Sequence, residues 1–243
     1  MVSHVPSTSG IAHAGLAFAN PMSEAAIDAA IAALQLPADA SVLDTGCGVG
    51  EILLRVLRRH NGTRGLGVDV DADAIDEARH RGAMLLARFD VQDAATVEGQ
   101  FDAVINIGAS HALGGFPSVL TALHGLGRMA LFGEGFWERP PSPAFLAALG
   151  GAAADELADL DGLRAAVHEA GLNIAHEWLA SPDDWARYEE TLAANAESHG
   201  TTSTLDYARR IRDRRALPHG TDTLGFALLV LHAQHSVAQQ GPT

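Results

Sequence analysis

Residues 41–56 read SVLDTGCGVGEILLRV, an apolar strand that passes through a glycine-rich turn into an amphipathic helix. In an open α/β sheet this is where a nucleotide-like ligand meets the backbone. A GxGxxG spacing would point to a dinucleotide. Here Gly46, Gly48 and Gly50 are spaced GxGxG, with Glu51 where a third spaced glycine would fall. The rest of the chain has to decide the ligand.

Outward from this turn, strand-like and helix-like stretches alternate, the pattern of a parallel sheet covered on both faces. Ser23 caps a helix with Ile27, Ile31 and Leu34 on one face, ended by Pro37. Val42–Asp44 is the first strand, and Ile52, Leu53, Val56 and Leu57 give the next helix its buried stripe, with Arg55, Arg58 and Arg59 turned to water. Further strands are expected at 65–70, 84–90, 101–108, 128–135 and 172–180. Asp71 caps a helix that Gly82 closes, Asp73 is a helix-start residue and Asp90 a turn acid. The alternation then breaks. Ser181 and Pro182 open a helix carrying Trp185, Tyr188 and Leu192, a polar loop SHGTTST follows, and a second helix presents Leu205, Ala208 and Ile211 before the last strand at 223–232. The expected organisation is one domain over 1–243: an N-terminal cap segment (1–36), a ligand-binding core (37–181), a helical insertion or lid (182–220), and a last strand with its tail (221–243).

Composition narrows the chemistry. The 243 residues carry a formal charge of −14, which disfavours nucleic acid and anionic membranes as partners. All 16 basic residues are arginines. Without lysine there is no Schiff-base chemistry, no P-loop lysine and no Tyr/Lys dehydrogenase pair. Cys47 is the single cysteine and cannot form an internal disulfide, which suits a reducing compartment. MVSHVPSTSG does not have the pattern of a signal peptide, and LGFALLVL is too short to span a bilayer. A cytoplasmic protein is expected. Twelve histidines show no metal-ligand spacing except His232 and His235, read as exposed, so no metal is expected.

Three carboxylates mark the ends of successive strands: Asp44 before the turn, Asp69 23 positions after Gly46, and Asp93 in DVQDA. An acid at Asp69 can accept both ribose hydroxyls of any adenosine ligand. Asp44 says more, because a carboxylate beside the turn repels a pyrophosphate and favours a positively charged aminoacyl group.

VLDTGCGVGEILL, LGVDVDADAIDEAR, RFDVQDA and FDAVINIGASHALGG resemble the successive motifs of class I S-adenosylmethionine-dependent methyltransferases over roughly residues 20–135. The resemblance implies a Rossmann-like α/β fold, with a seven-stranded, mostly parallel sheet, an antiparallel last strand and a helical insertion before it. S-adenosylmethionine is the implied donor and S-adenosylhomocysteine the product. Carried over, Asp44 would order the glycine loop or hold the methionine amino group through water, and Gly46, Gly48 and Gly50 would let the backbone approach. Asp69, followed by Val70, would bind the ribose. Asp93 and Ala94 would meet the adenine, and the carbonyl of Asn106 or Ile107 would face the methionine part. Cys47 would pack within the turn rather than act as a nucleophile.

Methyl transfer needs an aligned nucleophile, a dry site and, for hydroxyl or ammonium acceptors, a base. His111, behind the fourth strand in GASHALGG, and Glu134, in GEGFWERPP after the fifth, are the candidates. Phe136 and Trp137 offer flat surfaces, and Arg139 is placed to pair with Glu134, Glu138 or a substrate carboxylate. The segments ASHA and GEGFWE, the N-terminal His13, Phe18, Asn20, Pro21 and Ser23, and Asp222–Ala227 are similar to segments of small-molecule methyltransferases of uncharacterised bacterial type. His13, Phe18 and Asn20 are thus expected over the site, with Trp185 and Tyr188 contributed by the lid. The arginines 209, 210, 212, 214 and 215 read as a solvated face paired with Asp183, Asp184 or Glu190. The expected partner is a small-molecule acceptor, nitrogen slightly favoured over oxygen. The rival readings are a nicotinamide-dependent oxidoreductase, disfavoured by GxGxG, Asp44 and the missing lysine, and an S-adenosylmethionine-binding protein without transferase activity.

Overall fold

The computed structural model describes residues 7–234. Seven strands form one sheet in the order β3-β2-β1-β4-β5-β7-β6: β1 Ser41–Thr45, β2 Arg64–Asp69, β3 Ala87–Val91, β4 Phe101–Ile107, β5 Gly127–Trp137, β6 Leu172–Leu179 and β7 Leu224–Ala233. β1 to β5 pair in parallel, and β7 slots antiparallel between β5 and β6. Among the described residues nine α-helices accompany them, two before β1 and the rest between strands: α1 Thr8–Ala12, α2 Glu24–Ala33, α3 Glu51–Arg59, α4 Ala72–Gly82, α5 Ser118–Leu126, α6 Pro143–Ala148, α7 Leu160–Glu169, α8 Pro182–His199 and α9 Thr202–Ala216. No helix among the described residues is long and apolar enough to cross a membrane.

The capping residues act as their chemistry dictates. Ser23 accepts from the Ala26 amide, and Asp71 accepts from the amides of Asp73 and Ala74. Alternate residues of the strands feed two cores, one on each face of the sheet. Ile27, Ile31, Leu53, Ile105 and Leu131 pack on one face, and Val104, Leu120, Phe132, Phe136 and Val167 on the other. A third, smaller core joins Ala12 of α1 to Leu192 and Ala196 of α8 and to Ala208 and Ile211 of α9. The N-terminal helix is therefore packed on the insertion between β6 and β7.

Several expectations are corrected. The third strand begins at Ala87, because Met84 and Leu86 are exposed and outside the ladder. Asp90 lies within it, ion-paired to Arg88 at 2.7 Å, and is not a turn acid. The polar loop shrinks to Gly200 and Thr201, since α8 runs to His199 and Thr201 caps α9 through the Thr204 amide. β5 continues to Trp137 because β7 pairs with it all the way to Leu224 opposite Trp137. α6 was not foreseen: Ser142 accepts from the Phe145 amide and Pro143 opens the helix. His232 is half-buried with Nε2 buried and unpartnered, contrary to the exposed reading, and His235 lies outside the described residues.

Candidate active site

The turn after β1 is built by its glycines. Gly46 has φ +74°, and a Cβ there would lie 2.5 Å from the Ala109 Cβ. Gly50, at φ +76°, begins α3, and a Cβ on it would strike the Phe89 ring at 2.8 Å. The amides of Gly46 and Cys47 both donate to the Val68 carbonyl, at 2.9 and 3.0 Å, which hangs the turn on the end of β2. Cys47 packs in the turn, where burial pushes its thiol well above the usual range. That disfavours the thiolate a nucleophile needs.

Two acids stand around this turn. Asp69, the last residue of β2, accepts from the Gly48 amide at 2.8 Å through Oδ2 and from the Asp71 amide at 2.9 Å through Oδ1. Each oxygen keeps a further acceptor site. Asp44 is buried in β1, and its carboxyl is pushed up to about 8, chiefly by burial and then by the Asp69 charge, with the Leu53 amide opposing. A cation placed beside this acid would oppose both effects and favour its charged form. Val70, 74% exposed, presents an apolar side chain just past Asp69. Asp93 caps a single 3₁₀ turn, Ala94–Thr96, through the Ala95 amide at 2.9 Å, and Ala94 is buried.

Over β4, Asn106 is fully buried and donates to Thr45 Oγ1 at 3.0 Å and to the Ala109 carbonyl at 3.1 Å. Its side chain thus braces the segment carrying His111, while Ile107 ends the strand. His111 belongs to a 3₁₀ turn, Ser110–Leu113, closed by Gly114 in the left-handed region. This turn meets Glu134. The Glu134 carboxyl is 7% exposed and raised by burial, with the Ser110 hydroxyl, the Gly135 amide and the His111 ring opposing. Oε1 accepts from the Gly135 amide at 3.0 Å, whereas the buried Oε2 has no partner in hydrogen-bond geometry. The two catalytic candidates therefore lie within electrostatic reach of each other, Glu134 buried and His111 exposed. Glu134 sits three residues inside β5, not at its end.

The aromatic expectations divide. Phe136 is 1% exposed and fills the space over Gly225, where an added Cβ would lie 2.3 Å from the Phe136 Cζ. Trp137 is buried against Phe145 and donates to the Ala154 carbonyl at 2.9 Å. Both are corrected from ligand surface to core. Arg139 pairs with Asp222 at 2.7 Å, not with Glu134 or Glu138. The N-terminal segment, by contrast, reaches over the sheet: the Ala19 carbonyl lies 3.8 Å from the position of a Gly108 Cβ. Phe18 is buried beneath the Arg55 guanidinium, 4.7 Å from its ring centre, and Asn20 is buried, accepting from the Met22 amide at 3.0 Å. His13 meets Tyr188 at 2.7 Å between Nε2 and the hydroxyl, and burial lowers the pKa of its ring. Tyr188 in turn sits edge-on to Trp185, with ring centres 6.1 Å apart. Residues 16–24 and α8, with Tyr188 between them, line a cleft of about 230 Å³.

The arginine run also departs from expectation. Arg212 does pair with Glu190, at 3.2 Å, and with Glu197. Arg209 pairs with Asp206, and Asp184 with Arg187. Arg214 is buried with Glu189, which Arg215 also meets at 2.8 Å. Glu189 was missed as a buried charge. Its position beside Tyr188 at helical spacing from Trp185 was visible, but its partners lie 25 and 26 residues away.

Comparison with known proteins agrees with this geometry. Residues 42–128 match the model of a methyltransferase domain. The chain is 28% identical over 180 residues to the uncharacterized protein YjhP of Escherichia coli K12, covering 70% of this chain and 72% of that one. It superposes on a crystal structure of a Geobacter sulfurreducens S-adenosylmethionine-dependent methyltransferase in complex with S-adenosylhomocysteine (TM-score 0.83, 22% identity, 95% and 99% of the two chains). A Thiobacillus denitrificans counterpart in the same complex gives a TM-score of 0.77 at 25% identity, over 95% of this chain and 99% of that chain. Residues 42–128, which build the turn and the ends of β1, β2 and β4, are thus similar to the methyltransferase-domain family, and the chain as a whole has the fold of the class I S-adenosylmethionine-dependent methyltransferases it superposes on.

Proposed function

We propose that this protein methylates a nitrogen or oxygen nucleophile of a small molecule, nitrogen slightly favoured, with S-adenosylmethionine as donor. The observation that carries the reading is the buried Asp44 facing the Asp69 charge around a turn whose Gly46 leaves no room for a side chain. That cradle fits an adenosine bearing a cationic amino-acid tail. When bound, the cofactor supplies an electrophilic methyl group on a sulfonium. Asp44 holds the amino-acid end against the glycine turn, with the carbonyl of Asn106 or Ile107 beside it. The remaining acceptor sites of Asp69 take the ribose, and Val70, Asp93 and Ala94 border the base. Residues 13–20 close over β4 and keep water out. Glu134 and His111 orient the acceptor and take the proton it sheds, a role suited to a carboxyl raised by burial. The charge of −14 favours a small acceptor over a nucleic acid.

The test is titration calorimetry with S-adenosylhomocysteine and, in parallel, NADH, on the native protein and on Glu134→Gln. S-adenosylhomocysteine alone should bind, with the same affinity for both proteins, while Glu134→Gln loses methyl transfer in an acceptor screen. Binding of NADH alone would overturn the reading. Transfer undiminished in Glu134→Gln would remove that residue from the chemistry.

A further inference from the structure

The segment that covers β4 is clipped to α8 by a titratable side chain. His13, the C-cap of α1, is half-buried with both ring nitrogens engaged: Nδ1 lies 2.8 Å from the Ser9 carbonyl and Nε2 2.7 Å from the Tyr188 hydroxyl. A carbonyl only accepts, so Nδ1 carries the ring proton and Nε2 is the bare nitrogen that accepts from Tyr188. Burial raises the Tyr188 hydroxyl above its ordinary range, so it keeps the proton it donates. The contact therefore works in one protonation state of the ring.

From His13 the chain leads straight to the end of β4. The Leu16 amide donates to the His13 carbonyl at 3.1 Å, Gly15 turns between them at φ +76° with open space where a Cβ would stand, and further on the Ala19 carbonyl lies over Gly108. Gly108 follows β4 and precedes the 3₁₀ turn that carries His111. A second ring proton would convert Nε2 from acceptor to donor, force the Tyr188 O–H to swing away and leave a half-buried charge. The surrounding carboxylates are already matched. On α8, Glu189 is held by Arg214 and Arg215, and Asp184, which lines the cleft with Tyr188, pairs with Arg187. On α9, Tyr207 is within electrostatic reach of Tyr188, Asp206 pairs with Arg209, and Arg210 beside Thr8 and Ser9 adds a further positive charge. His13 itself makes no ion pair among the described residues.

We propose that His13 is a proton-operated latch: the neutral ring holds α1 and the segment over β4 closed, and the protonated ring releases them and uncovers the site. Burial lowers the docked ring below its ordinary 6.5. Above that value docked and released rings are both neutral and the latch holds in full. As pH falls below 6.5 the released ring takes the proton more readily than the docked one, so release is favoured until the docked ring is protonated as well. Only the statement that a cofactor site is uncovered rests on the methyl-transfer reading; the latch does not.

Hydrogen exchange of the unliganded full-length protein at pH 8 and pH 5 tests the latch, with each amide rate divided by its intrinsic rate at that pH. The amides of His13, Ala14 and Leu16, each bonded within the segment, should lose protection at least about threefold at pH 5, while those of β4 lose none. His13→Gln, whose amide oxygen is an acceptor of similar reach and takes no proton in this range, should keep the same protection at both pH values. Tyr188→Phe, which deletes the hydroxyl, should lower the protection of these amides already at pH 8. Unchanged protection of the native protein at pH 5, the same loss in His13→Gln, or protection at pH 8 indifferent to Tyr188→Phe would each overturn the proposal. S-adenosylhomocysteine should also leave the native protein faster than His13→Gln at pH 5; Asp44 titrates in both, so the ratio isolates the latch, and equal release would overturn its control of the site. If S-adenosylhomocysteine binds neither protein while exchange responds, only the methyl-transfer reading falls; if it binds and exchange does not respond, only the latch falls.

Discussion

Asp44 sets function against stability within one side chain. Its carboxyl moves from an ordinary 3.8 to about 8 on folding, so the folded chain binds the proton more tightly than the unfolded one. Below about pH 4 both states are protonated and the shift has no effect. As pH climbs from there to 8, the unfolded chain gains the freedom to ionise while the folded one resists, and stability falls. Asp44→Asn should therefore raise the Tm of the unliganded protein by at least ~2–4 °C at pH 8, the shift that 1 kcal/mol produces in a domain of this size. The gain should be small at pH 5, and S-adenosylhomocysteine affinity should drop at least about tenfold at either pH. Differential scanning calorimetry at the two pH values checks the first, titration the second. A Tm that falls at pH 8 would mean that the carboxyl stabilises the fold, contrary to its burial.

At the scale of elements, the N-terminal helix is held by few bonds. Asn195 of α8 donates to the carbonyls of Ala12 at 2.9 Å and Ala14 at 2.8 Å, and the His13–Tyr188 contact lies one side chain away. Asn195→Ala should speed amide exchange and proteolysis in residues 8–16 and weaken S-adenosylhomocysteine a few-fold. The Tm should change little, since local opening draws on fewer contacts than global unfolding. Unaltered exchange in that segment would show that the small core around Ala12 suffices. The sheet itself is legible in the sequence, because β1 to β4 each run into a glycine turn or an acid, the pattern of a parallel α/β layout. Phe136 and Trp137 were misread for a non-local reason. Rings following GEG resemble a loop surface unless β7, nearly 90 residues on, is known to extend the ladder to them. α6 escaped because it is only six residues long, Pro143–Ala148, set in a stretch rich in Pro, Ala and Gly where Phe145, Leu146 and Leu149 are too few to mark a helical face. The burial of Arg214 was hidden in a charge run, and only the docking of α8 against α9 reveals it.

For the whole molecule, the net charge of −14 acts before any contact is made. A cation is drawn toward such a surface and salt screens that attraction. S-adenosylmethionine carries one more positive charge than S-adenosylhomocysteine, so its association rate should fall as salt rises from 20 to about 500 mM, while that of the product stays nearly flat. Stopped-flow tryptophan fluorescence can follow both; equal slopes would place the entrance in a neutral part of the field. The contact between His13 and Tyr188 spans 175 positions of the chain, and that between Asn195 and Ala12 spans 183. On the ribosome the glycine turn is therefore made early and roofed late. Its cover waits for α8 and α9, and β7 must still be inserted between β5 and β6. Until then a nascent chain can offer the turn to a ligand but cannot enclose one, so a protein halted before α8 would hold its site open to water.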